Sequence, residues 1–547
     1  MAHEPDLTKF AFEIEGASGG FILGRSHIGD AITADTVTWL AYTGQVTKVD
    51  FTRDASTGPL RSTPSVGTMN VTLYDKADSR DYANDFNLRT NVAVRLTYNG
   101  QPLFTGWVRD VDLDPSPKGG TFVTIQAVDA VGVAANTIRY GAASLDGVEP
   151  YTARVARVTE NANIQMDLPA PPPTITLAPE ATGWSAFGLP ATGVASATLF
   201  LLPIAAQDVN GLYVYGRYTS IELDSVGGAG TWTIPAYTLG AQRTVTGLTV
   251  GKTYRLAGSF LMALAQSAPR SVAVGVVGKG WGTPHALPMN APDERELEYV
   301  FTATATSHTI RVTWAETWTG PRGGDTFWQA INWRNLVVEE YRPSNAYRLR
   351  NIARETSVAN HLTIASNSVG AHWWPTRQGP VKARDLLDAT VRLDLTAPAP
   401  VRTGQRVALN RSTRDVVNAW DITNLGRDEL TGNTADESTT LDDDESIATY
   451  GARSATIETS LDVRGWRADA VERRGADLLA WSATTQLGVN AITARATDDP
   501  DAYAVLDLND LVQVPAADGT PFRRRINRIT HRITSRSWQL DLGLRKE

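Results

Sequence analysis

The sequence predicts a mainly β, multidomain protein, and three observations lead to this prediction. Short runs rich in Val, Thr, Ile, Tyr and Trp recur about every ten residues, broken by Gly, Asn, Asp and Pro. The chain has 547 residues, which at about 150 residues per domain predicts three or four domains. Hydrophobic residues make up 42% of it and charged residues 20%, so each domain can bury an ordinary core.

Composition excludes several classes of site. The chain has no cysteine, so disulfides, thiolate metal sites and cysteine nucleophiles are excluded. A formal net charge of -8 argues against a general nucleic-acid binder, and we expect no sequence-specific nucleic-acid partner. We expect no membrane span, because no run of about 18 apolar residues occurs. The polar segment 1–6 also leads us to expect no secretory signal peptide.

The clearest local prediction is an antiparallel meander near the N-terminus. Residues 92–98 alternate apolar with small or polar positions, and Asn99-Gly100 supplies a tight turn because both residues tolerate a positive φ. Residues 103–108 return as the second strand, and residues 121–127 form the third.

Few helices are expected. Residues 149–163 carry apolar side chains at spacings of three and four, with Thr152 as candidate N-cap. Residues 466–482 carry one broad apolar face, and a shorter helix is expected at 383–390. Such stripes usually pack against a sheet.

Composition shifts mark the domain boundaries. Pro169-Ala170-Pro171-Pro172-Pro173 is a stiff linker, and Arg342-Pro343-Ser344 ends the segment that it opens. Residues 174–341 hold seven of the fifteen tryptophans and a strand pattern throughout. The predicted division is a β-barrel at 1–142, a helical connector at 143–167, an inserted β-sandwich of jelly-roll type at 168–342, an α+β domain at 343–455 and a second β-barrel at 456–547.

The first and last parts of the chain resemble each other. Residues 88–94 lead through Asn99-Gly100-Gln101-Pro102 into a returning strand, and residues 508–514 lead through Asp518-Gly519-Thr520-Pro521 into another. A third strand follows in each case. The agreement across two strands and a turn favours two related barrels, although similar hairpin chemistry also produces such matches by chance.

No motif for catalysis stands out. Gly16-Ala17-Ser18-Gly19-Gly20 matches the nucleophile-elbow pattern but lies between two amphipathic strands and indicates a hairpin loop. The seven histidines show no metal-binding pair, so we expect no metal and no cofactor. An acidic loop at 436–445 indicates a solvated turn, with a cation site as the lesser alternative. Paired carboxylates for glycoside hydrolysis stay open in the insert; the candidates are Asp293-Glu294, Glu296, Glu298 and Glu339-Glu340.

The insert resembles jelly-roll carbohydrate-binding modules in its layout. Its motifs are a turn and strand at 247–259, a second strand at 297–305, and a closing strand rich in aromatic residues and Asn at 327–340. Such modules stack aromatic faces on sugars. The candidate glycan-binding residues are Trp281, Trp314, Trp318 and Trp328, and core burial is the competing interpretation of each.

The outer segments resemble the tail-hub family of long-tailed bacteriophages of actinobacteria, whose members are also called baseplate hub or minor tail proteins. The strings that show it are Val71-Thr72-Leu73-Tyr74-Asp75, Phe104-Thr105-Gly106-Trp107-Val108 and Thr124-Ile125-Gln126-Ala127, with the run 481–544 near the end. The resemblance implies a homotrimer whose two barrels per chain form a pseudo-sixfold ring. It also implies location in the virion at the tail tip, after assembly in the host cytoplasm. The implied partners are a distal tail or tail tube ring, a tape measure protein and other minor tail or fibre proteins.

Residues 515–547 hold eight Lys or Arg against three acids, a local reversal of the net charge. Strand alternation places Arg523 and Arg525 on one face, and we interpret them as an assembly interface, with a solvated face as the alternative. Three functional hypotheses follow. The first is a structural tail hub, not an enzyme, with an insert that binds host cell-wall glycan. The others are a tail-associated glycosidase or cell-wall hydrolase, and a free carbohydrate-binding surface protein.

Overall fold

The computed structural model describes most of the chain in segments. These are residues 4–16, 38–42, 45–55, 62–76, 90–117, 119–141, 148–169, 174–176, 183–188, 195–207, 213–225, 230–263, 271–286, 295–322, 328–396, 406–411, 416–428, 431, 433–463, 469–485, 487–515 and 521–546. The chain folds into two compact units. Unit 1 comprises residues 1–169, 343–462 and 469–547, and unit 2 comprises residues 170–342 and 463–468.

The first segment of unit 1 consists mostly of strands that run in sequence order. They are β1 (Phe10–Gly16), β2 (Thr38–Ala41), β3 (Gln45–Asp54), β4 (Thr68–Asp75), β5 (Ala93–Tyr98), β6 (Gln101–Pro115), β7 (Thr121–Val128), β8 (Ile138–Tyr140), β9 (Val148–Glu149) and β10 (Met166–Asp167). Two helices lie among them, α1 (Ala130–Asn136) and α2 (Tyr151–Thr159).

Unit 2 is described entirely as strands. They are β11 (Thr174–Thr176), β12 (Trp184–Phe187), β13 (Ala195–Gln207), β14 (Tyr213–Ser225), β15 (Gly230–Ile234), β16 (Gly240–Thr246), β17 (Thr253–Ala263), β18 (Ser271–Val276), β19 (Gly280–Trp281), β20 (His285–Ala286), β21 (Arg295–Thr302), β22 (Ser307–Trp314), β23 (Trp318–Arg322) and β24 (Trp328–Glu340).

The remaining segments of unit 1 mix helices with strands. The strands are β25 (Leu349–Arg350), β26 (Glu355–Ser357), β27 (His372–Pro375), β28 (Val381–Arg384), β29 (Val391–Asp394), β30 (Arg406–Arg411), β31 (Ala419–Asn424), β32 (Glu437–Asp442), β33 (Ser454–Thr459), β34 (Leu487–Arg495), β35 (Leu511–Pro515), β36 (Pro521–Thr534) and β37 (Ser537–Lys546). The helices are α3 (Val358–Val369), α4 (Asp444–Tyr450), α5 (Ala470–Ser482) and α6 (Pro500–Ala504).

The prediction of a mainly β, multidomain protein is confirmed. The described strands of both ends of unit 1 lie in one 13-stranded sheet with the order β2-β1-β5-β6-β7-β4-β3-β36-β37-β34-β30, with β29 and β35 attached beside β36. Within the residues that the structure describes, this sheet ends at β2 and β30 and does not close on itself. The strands that we expected in two barrels are therefore joined edge to edge.

One hydrophobic core underlies this sheet. Phe12, Phe51 and Leu96 from the N-terminal strands belong to the same buried cluster as Ile529 and Leu542 from the C-terminal strands. Side chains alternate along β7 between buried and partly exposed positions, as expected for a strand with one covered face. The shared core means that the two ends of the chain fold as parts of one unit.

Unit 2 is a two-sheet sandwich. One described sheet has the order β13-β14-β24-β17-β21, with β11 beside β24, and the other has the order β12-β16-β22-β18-β19, with β20 beside β18. Leu256, Phe260 and Trp333 from the first sheet pack with Val274 and Val312 from the second. A small ribbon of β15 and β23 accompanies them.

The helix predictions have mixed outcomes. The helix expected at 149–163 is confirmed as α2, but its N-cap is Pro150, and Thr152 lies in the first turn. The helix expected at 466–482 is confirmed as α5. The helix expected at 383–390 is wrong, because Val381–Arg384 pairs with β27 and β10 as a strand. The buried helix α3, which begins at the N-cap Ser357, was not anticipated. None of the described helices is long and apolar enough to cross a bilayer.

Candidate functional site

The two ends of the sheet contain a duplicated arrangement of strands. We call β3–β7 the N-terminal module and β30 with β34–β37 the C-terminal module. In chain order, each module has two paired antiparallel strands followed by a three-strand meander whose last strand pairs with the second of them. The predicted echo between the two hairpins thus extends to five strands.

A β-bulge occupies the same position in both modules. The register between β6 and β7 skips Arg109, and the register between β36 and β37 skips Asn527. The residue before each bulge is bonded alike: Val108 pairs with the backbone of Asn91 and Val92, as Ile526 pairs with the backbone of Asn509 and Asp510. Bulges bend a strand at a defined residue and persist within families of related folds.

The residue that opens each meander also matches. Asn91 has a φ of 69° and Asn509 a φ of 67°, both in the left-handed region that asparagine tolerates better than most residues. Each donates its N–H to the carbonyl of the residue just before the bulge, at 2.8 Å for Asn91 and 2.7 Å for Asn509. Chance similarity between hairpins does not account for matching strand order, bulge and backbone conformation together.

The modules meet where β3 pairs antiparallel with β36, a contact that we call the joint. Its register runs from Lys48 opposite Thr534 to Asp54 opposite Arg528. On the outer face the hydroxyls of Thr52 and Thr530 lie 3.1 Å apart. The guanidinium of Arg528 lies 2.9 Å from the carboxylate of Asp54.

A buried histidine lies at the centre of the joint. The ring of His531 stacks on Phe51, with centroids 4.5 Å apart and planes 17° apart. Its Nδ1 accepts a hydrogen bond of 2.9 Å from the indole Nε1 of Trp538. Burial, together with the nearby charge of Arg53, lowers the pKa of His531 to about 3. The imidazole is therefore neutral at physiological pH and acts as an aromatic core residue.

The two arginines that we assigned to an assembly interface have different environments. Arg523 is exposed on the first part of β36. Arg525, on the same side of the strand, is only 4% exposed, and its guanidinium donates to the carbonyls of Asn509, Leu386 and Asp388 at 2.9–3.0 Å. Arg525 is thus engaged within its own chain by residues that the alternation of β36 does not reveal.

The four tryptophans proposed for glycan binding fall into three groups. Trp314 is 4% exposed and belongs to the core of unit 2, so its ring has little surface open to solvent. Trp281 is half-buried at an edge of the sandwich, beside Tyr237, with 5.3 Å between ring centroids. The side chains of Trp318 and Trp328, which begin β23 and β24, lie outside the described residues.

Sequence reasoning missed a polar groove of about 430 Å³ on unit 2, built on β12, β16 and β22. The Nε of Arg311 donates to Gln242 at 3.0 Å, and its guanidinium lies 4.1 Å from the ring centroid of Phe187. The hydroxyls of Thr244 and Thr309 lie 3.3 Å apart on neighbouring strands. This mixture of donors and acceptors above an aromatic ring suits a polyhydroxylated ligand. Alternate polar positions on β16 and β22 were its only trace in the sequence.

The carboxylates weighed for glycoside hydrolysis are neutralised where the structure describes them. Arg255 is 5% exposed in its side chain and contacts Glu296 at 2.5 Å, Glu298 at 2.8 Å and Glu339 at 3.1 Å. Although burial opposes its charge, these carboxylates hold the pKa of Arg255 above its ordinary value. Glu340 pairs with Lys252 at 2.7 Å. Asp293 and Glu294 lie outside the described residues.

The acidic segment 436–445 is not a loop. It forms β32 and the start of α4, whose N-cap Asp443 accepts from the N–H of Ser446 at 2.9 Å. The described residues contain no group of three or more His, Asp or Glu arranged to hold a metal ion. Four of the five residues of the segment 16–20 lie outside the described part of the chain.

Comparisons with known proteins give structural similarity without sequence similarity. No family model matches the chain, and no curated protein matches it. The 43 kDa tail protein of prophage MuSo2 from Shewanella oneidensis is similar over 93% of this chain and 96% of its own, at 9% identity and a TM-score of 0.39. A tail protein from Neisseria meningitidis MC58 is similar over 98% of this chain and 96% of its own, at 9% identity and a TM-score of 0.41. A structure of CBM4 covers 30% of this chain and 90% of its own, at 14% identity and a TM-score of 0.18.

We expect the stability of unit 1 to fall on acidification through His531. Its pKa is lowered in the folded protein, so its contribution is fully present above the ordinary value of 6.5 and is lost as the pH falls towards about 3. The advantage in unfolding free energy of the wild type over His531→Gln should shrink between pH 7 and pH 4, by at most about 1.4 kcal/mol per pH unit. Urea unfolding at several pH values measures this, and an advantage independent of pH would contradict it.

We expect Arg525 and Arg523 to differ sharply as substitution sites. Arg525→Ala leaves three buried carbonyls without their donor and should lower the unfolding free energy by about 3 kcal/mol. Arg523→Ala, at an exposed position of the same strand, should change it by less than about 0.5 kcal/mol. Urea titrations followed by tryptophan fluorescence distinguish the two, and equal effects would show that Arg525 is not a structural residue.

Proposed function

We propose that this chain is a structural component of a phage tail tip, a homotrimeric hub that adapts a sixfold ring to a threefold tip. The sixfold neighbour would be the tail tube or distal tail ring, with a tape measure protein and other minor tail or fibre proteins as further partners. The protein would act by shape and symmetry, without catalysis and without a cofactor.

The observation that supports this proposal is the duplicated module in unit 1. A chain with two like modules presents two like surfaces, and three such chains present six. A sixfold ring can then meet every module with similar contacts, whereas a threefold fibre meets one chain at a time. The matching bulges at Arg109 and Asn527 support a common geometry for the two surfaces.

We propose that unit 2 binds a glycan of the host cell wall, and the polar groove is the observation that favours this function. Arg311, Gln242 and the threonine pair offer hydrogen bonds to sugar hydroxyls, and Phe187 lies below the guanidinium. Trp281, half-buried beside Tyr237, stays a candidate for stacking against a sugar face. The alternative of a glycosidase is disfavoured by Glu296, Glu298 and Glu339, which are ion-paired to a buried arginine.

The trimer is the first expectation. The full chain should sediment at three times 59.1 kDa, and negative-stain images should show a ring with threefold symmetry and a central channel. Analytical ultracentrifugation over a concentration series measures the mass. A stable monomer at micromolar concentration, with no ring in assembled tails, would rule out the hub.

Glycan binding is tested by two matched threonine pairs. Thr244→Val with Thr309→Val removes hydroxyls 3.3 Å apart in the groove. Thr253→Val with Thr302→Val removes an exposed pair 3.2 Å apart on the other sheet and serves as the control. We expect the first variant to lose at least tenfold in affinity for purified actinobacterial cell wall in a pull-down, because both hydroxyls would contact the ligand, and the control to bind as the wild type.

Equal binding by both variants would place the glycan elsewhere or show that none binds. The same incubation measures released reducing sugar, and sustained release by the wild type would favour the enzyme over the binding module.

A further inference from the structure

The second half of β6 has an open edge. Within the described residues, β5 pairs with β6 only as far as Trp107, and beyond the bulge at Arg109 the strand pairs with β7 alone. The matching stretch of β36, beyond its bulge at Asn527, is the edge that β3 covers in the joint. The two modules thus share this edge, and only one of the two edges is occupied within the described chain.

The strand that would occupy it also has a counterpart. β30 stands to β34 as β3 stands to β4, since each is the first strand of its module and pairs antiparallel with the second. β3 continues into the joint, whereas β30 is the last strand of the described sheet. One open edge on the N-terminal module therefore matches one open strand on the C-terminal module.

We propose that β30 of one chain pairs antiparallel with residues 110–115 of β6 in a second copy, repeating between chains the joint that β3 and β36 make within a chain. This contact rests on the proposed trimeric hub and specifies how its subunits meet. It is a heterologous contact, so each copy offers one edge and receives one strand, and the ring closes when the last chain meets the first.

Charge supports this pairing. The outer part of β6 carries Asp110, Asp112 and Asp114, and these residues are exposed. β30 has the sequence RVALNR, with an arginine at each end and no acid. In the joint the signs are reversed: Arg528 and Arg532 of β36 contact Asp54 and Asp50 of β3. The proposed contact thus keeps the charge complementarity of the joint with the two partners exchanged.

An exposed apolar residue supports it as well. Leu113 is 42% exposed, yet its counterpart in the other module is His531, which is 2% exposed because β3 covers it. Val111 corresponds in the same way to the buried Ile529. A strand added beside β6 would cover Leu113 as β3 covers His531.

The register of the proposed pair follows from the joint. Asp50 lies opposite Arg532, and Asp50 and Ala408 hold equivalent places in their modules. Arg532 corresponds to Asp114, because each is the fifth residue after its bulge. Ala408 of one chain should therefore lie opposite Asp114 of the next.

Disulfide cross-linking tests this register, since the natural sequence contains no cysteine. Full chains carrying Asp114→Cys alone are mixed with full chains carrying Ala408→Cys alone and oxidised. A covalent dimer on a non-reducing gel is expected, and the chain that carries both substitutions should give a covalent species of three times the chain mass. The positive control is Asp50→Cys with Arg532→Cys, which should close within one chain.

The off-register control pairs Asp110→Cys with Ala408→Cys. Four residues along a strand span about 13 Å, and disulfides need Cα atoms within about 7 Å, so no link is expected. A second test replaces Asp110, Asp112 and Asp114 by lysine at exposed positions. That variant should keep the circular dichroism of the wild type and lose the oligomer.

The outcomes separate the two proposals. A trimer in sedimentation without the link between positions 114 and 408 overturns the strand pairing and leaves the hub intact. A monomer under all conditions overturns both. Equal linking by the off-register pair also overturns the pairing, and so does a lysine variant that assembles as well as the wild type.

Discussion

The antiparallel pairing of β3 with β36 is the contact on which the rest of unit 1 depends. It joins residues as far apart as Thr52 and Thr530 and merges two modules into one sheet over one core. An unpaired edge here would expose backbone donors and acceptors together with the ring of His531. The joint therefore fixes the spacing of the two modules, and any symmetry that the protein offers to a partner follows from that spacing.

The two modules have diverged in how they are supported. β1 lies antiparallel beside β5, whereas β29 lies parallel beside β35. The C-terminal module also buries Arg525 and Arg545 on either side of Asn509, and burial lowers the pKa of Arg545 to about 9. Buried guanidinium groups that bind main-chain oxygens hold loops in fixed positions. The duplicated strands thus keep a common geometry, while the surrounding segments give each module its own supports.

Local patterns predicted the meanders well, because residues 92–98 and 121–127 alternate with the period of a strand and Asn99-Gly100 supports a tight turn. The segment at 383–390 failed because a short apolar run fits a buried strand as well as a helix. The joint could not be predicted, since no local periodicity encodes a pairing across 478 residues. The burial of Arg525 depends on the segment around Leu386, and the polar groove on side chains from three strands, so neither was visible in the sequence.

The long separation in the joint has a consequence for synthesis. The ribosome completes β3 early, but its partner β36 ends only at Thr534. At about 5–20 residues per second, roughly 25–100 s pass between the two. During that time the edge of β3 is available to other strands, including those of nascent chains on the same message. Closing so distant a contact is slow, so the N-terminal module spends its first minute in need of shielding from aggregation.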